Sequence, residues 1–167
     1  MEIWDAYDRD GRRLGVDLVR GEPVPSGMYH LVCDVILRHR NGNFLLMRRD
    51  PRKECYPGQY ELTAGGSALK GEDALACVRR ELFEETGVRC ETFSLVRSVV
   101  REEDRGIFYL FYAETDCDPA SVRLQLGETV EYCWVNRQEL ERRLESPSMI
   151  HFMKRRYRLC VEKGLIR

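Results

Sequence analysis

One stretch, roughly Glu72 to Thr86, is the only strongly helical segment in the first half of the chain, and strand-like runs flank it on both sides. Gly87 closes it as a C-terminal breaker. At about 100° per residue, Leu75, Val78 and Leu82 fall on one stripe, so the helix must bury that stripe against something flat. The flanking runs supply it. MYHLVCDVILR and NFLLMRRD, joined through Asn41-Gly42, read as two strands, and QYELTAGG as a shorter one. ETFSLVRSVV, GIFYLFYAET and ETVEYCWVN continue the sheet beyond the helix, and from about Arg137 the pattern is helical to the end. Strands, helix, strands, helices predict an α/β fold, a mixed-sheet α/β/α sandwich in preference to a regular doubly wound sheet.

With 167 residues, one domain over 1–167 is expected, residues 1–27 forming an N-terminal strand or hairpin (MEIWDAYDRDGRRLG) and a polar connector (VDLVRGEPVPSG). Lys and Arg (27) nearly balance Asp and Glu (28), which argues against a nucleic-acid or anionic-lipid partner. The seven cysteines are scattered singly, without CxxC or a Cys/His cluster, as expected of thiols in a reducing cytoplasm. No run approaches 18 apolar residues and the first residues do not read as a signal peptide, so a cytoplasmic protein with no membrane partner is expected.

The helix is badly placed for stability alone. Glu81, Glu84 and Glu85 crowd within about 100° of one face, where like charges repel, and they lie toward the end at which the macrodipole disfavours negative charge. Arg80 can pair with Glu84 four residues on. A hard divalent cation, which prefers oxygen ligands, would offset the remaining repulsion.

The flanks make this cluster specific. Gly66, Glu72, Arg80-Glu81-Leu82, Glu84-Glu85 and Gly87-Val88 match a nine-position pattern without a miss, an event expected by chance roughly once in a million such chains. The chain resembles the Nudix hydrolase family at this Nudix box. The resemblance implies a Mg²⁺- or Mn²⁺-dependent hydrolase that cleaves a phosphoanhydride in a nucleoside diphosphate derivative or a similar small phosphorylated metabolite. It implies that Glu81, Glu84 and Glu85 are metal ligands, with the backbone carbonyl of Gly65 or Gly66 as a further one. Arg80 is then the residue that orients the glutamates, Glu72 acts from the loop at the helix start, and Gly66 and Gly87 shape the loops at either end of the helix. Homodimers are common in that family.

Outside the box, Glu128 in LGETVEYCWV is the better candidate, ahead of Glu131, for a loop base or extra ligand. Arg48, Arg49, Arg52 and Lys53 form a basic cluster suited to substrate phosphates, and Tyr56, Tyr60, Phe108 and Tyr109 could stack on a base. The N-terminal part is similar to the subgroup that includes isopentenyl diphosphate isomerase. That enzyme uses a cysteine just before the box and a histidine-rich metal site, whereas Ala64 and Gly66 stand at the matching places here. His30 reads as structural. An intact box without the cysteine favours hydrolysis over isomerisation, or over a non-catalytic nucleotide-binding module.

Overall fold

The computed structural model describes residues 1–166. Strands β1 (Ile3–Tyr7) and β2 (Arg13–Val19) form a separate antiparallel hairpin, so residues 16–19, assigned from sequence to a connector, are strand. Then follow β3 (His30–His39), β4 (Phe44–Arg49), β5 (Tyr60–Glu61) and β6 (Thr63–Ser67), the helix α1 (Ala74–Thr86), and β7 (Ser94–Arg101), β8 (Gly106–Thr115) and β9 (Thr129–Val135). The chain ends in α2 (Arg137–Arg143) and α3 (Met153–Glu162). The continuous helical tail expected from Arg137 is interrupted: residues 144–152 are irregular, and Pro147, which cannot continue a helix, lies within them.

Strands β3 to β9 build one seven-stranded sheet in the order β5-β4-β3-β8-β7, with β6 also on β3 and β9 on β4. It is mixed, because β3 and β8 run parallel from His30↔Gly106 to His39↔Thr115 while the other pairs are antiparallel. The turn at Asn41-Gly42 joins β3 to β4 as expected, but only Arg38↔Phe44 pairs across it, and β3 spends its edges on β6 and β8.

Strand alternation sends the side chains to two cores. Cys33, Val35, Leu45 and Met47 join Cys77, Val78 and Leu82 of α1 on one face. Ile36, Phe44 and Leu46 join Leu140 of α2 and Met153, Tyr157 and Cys160 of α3 on the other. The architecture is an α/β/α sandwich. The buried stripe of α1 is Cys77, Val78, Leu82 and Thr86; Leu75, assigned to it from the wheel, lies in the first turn and is 36% exposed.

The N-terminal hairpin has a small core of its own, Trp4, Ala6 and Leu18, and Trp4 stacks on His30 with ring centroids 4.2 Å apart. Burial pushes the imidazole pKa down, in keeping with a structural histidine. The hairpin also grips the loop before α1. The amide of Lys70 donates to the Ile3 carbonyl and that of Gly71 to Asp5 Oδ2, both at 2.8 Å.

Candidate active site

The site is assembled where β6 passes under the second half of α1. Asp73 caps the helix by accepting the Ala76 amide at 2.7 Å, and Gly87, at φ 72°, ends it in the left-handed conformation that glycine adopts without strain. The thirteen residues between these caps bring Arg80, Glu81 and Glu85 toward the sheet and leave Glu84 on the solvent side.

Arg80 is the hub. Its Nε and Nη2 donate to the two carboxylate oxygens of Glu72 at 2.7 and 3.0 Å, and Nη1 reaches Glu81 at 2.8 Å and Glu84 at 3.0 Å. Nη2 also donates to the Ser67 carbonyl at 3.0 Å, tying helix to strand. The forked bond to Glu72, with the charge of Glu81, raises the Arg80 pKa further. Burial works to raise the Glu72 pKa, but the bonds from Arg80 and the Leu69 amide outweigh it and hold the carboxyl low. Glu72 thus acts from the loop ahead of the helix.

Gly66 has a different role from the loop-shaping one inferred from sequence. It lies within β6 opposite Cys33, with an ordinary strand backbone, and a Cβ there would stand 2.5 Å from Glu81 Oε1. At Gly65 a Cβ would meet the Cys33 carbonyl oxygen at 2.2 Å. Both glycines allow close approach: Gly65 of strand to strand, Gly66 of a carboxylate to the backbone.

The acidic residues then divide by environment. Glu84 is nearly half exposed, on Arg80. Burial raises the Glu81 pKa, partly countered by Arg80. Glu85 accepts the Gly65 amide at 3.2 Å, and burial together with the charges of Glu61 and Glu81 lifts it well above the usual carboxylate range. Glu61 on β5 is pushed by burial to about 7 even though Arg49 donates to it at 3.1 Å. Among the described residues, no three His, Cys, Asp or Glu side chains already stand at metal-ligand spacing, since Arg80 draws Glu81 and Glu84 to itself while Glu85 turns to the strand.

Sequence reasoning missed Glu61, Asp34 and Arg156. Asp34 on β3 accepts Arg156 Nη2 at 2.6 Å and is the register partner of Gly65. The available signal was a lone carboxylate inside an otherwise apolar strand, present in both HLVCDVILRH and QYELTAGG.

The predicted basic cluster is largely paired within the protein. Arg48 bonds Glu131 at 3.3 Å, Arg49 bonds Glu61, Arg52 bonds Asp50, and Lys53 meets Glu128 at 2.5 Å. Glu128 lies at the entry to β9, beside the Arg49↔Thr129 pair, and its described side-chain partner is Lys53, not a residue of the box. Tyr60 donates to Glu131 at 2.8 Å, and Tyr56 packs against His151 and Phe152. Phe108 and Tyr109 lie on β8.

The NUDIX domain model matches residues 28–155, from the start of the sheet into α3. The chain belongs to the Nudix hydrolase family. An uncharacterized Nudix hydrolase of Listeria monocytogenes is 30% identical over 141 residues, covering 84% of this chain and 83% of the relative. A prenyl-diphosphate phosphatase of Methanosarcina mazei is 26% identical, covering 83% and 82%. The Nudix fold is also that of a crystal structure from Deinococcus radiodurans, with a TM-score of 0.72 at 18% identity over 95% of this chain and 99% of that one. As a member of this hydrolase family the protein is an enzyme of pyrophosphate chemistry, and no described helix is long and apolar enough to cross a membrane.

Proposed function

We propose that this Nudix hydrolase uses Mg²⁺ or Mn²⁺ to cleave the phosphoanhydride of a nucleoside diphosphate derivative or a similar small diphosphate. The observation that carries the reading is the Glu85 carboxyl, drawn against the Gly65 amide with Glu61 and Glu81 beside it and no arginine bonded to it among the described residues. Such a set of oxygen donors, crowded and undercompensated, fits a hard cation. Glu81, Glu85 and the Gly65 carbonyl would hold it, with Glu84 at the solvent side; the Gly66 carbonyl already faces the Cys77 thiol at 3.6 Å. Bound there, the ion supplies charge neutralisation at the phosphoryl oxygens.

The chain's own groups do the rest. Arg80 keeps Glu81 and Glu84 oriented through its anchor on Glu72. Burial raises the proton affinity of Glu81 and Glu85, which suits either carboxylate to take a proton from water. Lys53 occupies Glu128, which favours a helix glutamate over this loop residue as base. The near balance of charge and the seven free cysteines support a small-molecule substrate in a reducing cytoplasm.

An isomerase would need an acid where Ala64 stands, and the nearby Cys77 thiol is held neutral by its bond to Cys33 and by burial. The test is a panel of nucleoside di- and triphosphates, nucleotide sugars, dinucleotides and prenyl diphosphates with Mg²⁺ or Mn²⁺, following phosphate release and isomer formation. Hydrolysis of at least one class is expected; isomer formation without hydrolysis would overturn the reading.

A further inference from the structure

On the face opposite α1, a cavity of about 310 Å³ opens between α3 and strands β7 and β8. Arg97, Arg101, Arg155 and Arg156 line it, against two carboxylates, Asp34 and Glu103. The lining therefore carries an excess of two positive charges, the complement of a phosphomonoester, which bears about −1.5 to −2 at neutral pH. Two of the guanidiniums are pre-positioned on aromatic faces. Arg101 lies 4.4 Å over Phe108 and Arg156 lies 4.9 Å over Phe152, so the walls present guanidinium planes and not free rings. Arg97 and Arg155 have no ion-pair partner among the described residues, while Arg101 reaches Asp104 at the long distance of 3.4 Å.

The cavity shares a wall with the acidic cluster. Asp34, which lines it, bonds Arg156 at 2.6 Å and sits opposite Gly65, whose amide holds Glu85. The cleft and the acidic cluster thus adjoin at the Asp34–Gly65 pair, the cleft through the Asp34 side chain and the cluster through the Gly65 amide.

We propose that the cleft binds a phosphomonoester carried on the substrate away from the bond cleaved, so that the enzyme selects diphosphate compounds bearing this additional phosphate. The proposal rests on the reading of the box as the hydrolytic site, yet it can be tested without turnover.

Calorimetry in EDTA would compare adenosine 2′,5′-bisphosphate, adenosine 5′-monophosphate and inorganic phosphate on the wild-type protein and on an Arg97→Ala/Arg155→Ala variant. Both residues are exposed and unpaired among the described residues, so the fold is expected to survive, which a melting curve verifies. An Arg155→Glu variant serves as a second probe. The bisphosphate should bind the wild type at least tenfold more tightly than the monophosphate, an advantage lost in both variants. Equal affinity for the two nucleotides in the wild type, or an advantage that survives both variants, would overturn the proposal. So would inorganic phosphate binding as tightly as the bisphosphate, since the cleft would then be a site for the free ion. A protein inactive on every diphosphate but retaining the arginine-dependent preference would sink the hydrolytic reading and leave the cleft as a phosphate site.

Discussion

Gly66 and Glu81 are packed so closely that a Cβ on the glycine would stand 2.5 Å from the carboxylate Oε1, whereas the same atom on neighbouring Gly65 would strike the Cys33 backbone oxygen at 2.2 Å. The far end of a glutamate can swing aside; a strand backbone cannot. Gly66→Ala should therefore leave the melting temperature close to wild type while cutting turnover at least about tenfold by displacing Glu81. Gly65→Ala should instead cost about 1–3 kcal/mol of stability by forcing β6 from β3. Denaturation curves and steady-state rates on the same pair of variants check both halves.

Arg80 holds two partly buried carboxylates, Glu72 and Glu81, and cutting it away strands them. Arg80→Ala is expected to destabilise the fold by about 3 kcal/mol and to lower kcat. Arg80→Lys, which keeps the charge but cannot fork onto Glu72, should recover most of the stability and little of the rate. Urea titrations beside initial-rate measurements separate the two effects.

The legibility of this site in the sequence was uneven, for physical reasons. The box residues are local: Arg80 and Glu84 meet at the four-residue spacing of the helix and Gly87 ends it, whereas Glu72, opposite Glu81 on the wheel, lies ahead of the helix and shares Arg80 with Glu81. Leu75, in the first turn of α1, lies at the surface, and Cys77 and Thr86 take up the stripe. Asp34 and Glu61 left a signal as lone carboxylates in apolar strands, but the meeting of Asp34 with Arg156 could not be read, because no periodicity records a contact between residues 122 positions apart. The pairing of Arg49 with Glu61 and of Lys53 with Glu128 was hidden in the same way. The sandwich itself was readable, since strand alternation assigns Leu45 and Leu46 to opposite faces; the extent of β2 was not, and the break before α3 was signalled only by Pro147.

Burial pushes the Glu61 carboxyl from an ordinary 4.5 to about 7, so the folded protein binds that proton more tightly than the unfolded chain does. Stability from this group is complete below about pH 4.5 and is lost as pH rises to about 7; Glu85 shifts in the same direction. The metal-free protein should melt at a lower temperature at pH 8 than at pH 5, and Glu61→Gln should shrink the difference. Adding Mg²⁺ at pH 8 should restore much of the loss, because a cation bound by the folded state alone stabilises it. Melting curves in EDTA and in Mg²⁺ at the two pH values measure all three.

The hairpin grips the loop that carries Glu72 through the bond from the Gly71 amide to Asp5. Asp5→Ala should loosen that loop, raising amide exchange at residues 70–72 and lowering kcat severalfold while KM stays near wild type. Hydrogen exchange followed by mass spectrometry, with kinetics on the same preparation, is the check.

Hydrolysis depends, in the proposed mechanism, on a divalent cation held by the buried carboxylates of α1. That dependence is tested most directly by the rate of diphosphate hydrolysis against Mg²⁺ concentration, for the wild type and for Glu85→Gln on the best substrate of the panel. No turnover is expected in EDTA, with a saturable rise with Mg²⁺ in the wild type and a rate at least about a hundredfold lower in the variant at saturating metal. Turnover that persists in EDTA, or a Glu85→Gln enzyme close to wild type, would contradict the mechanism.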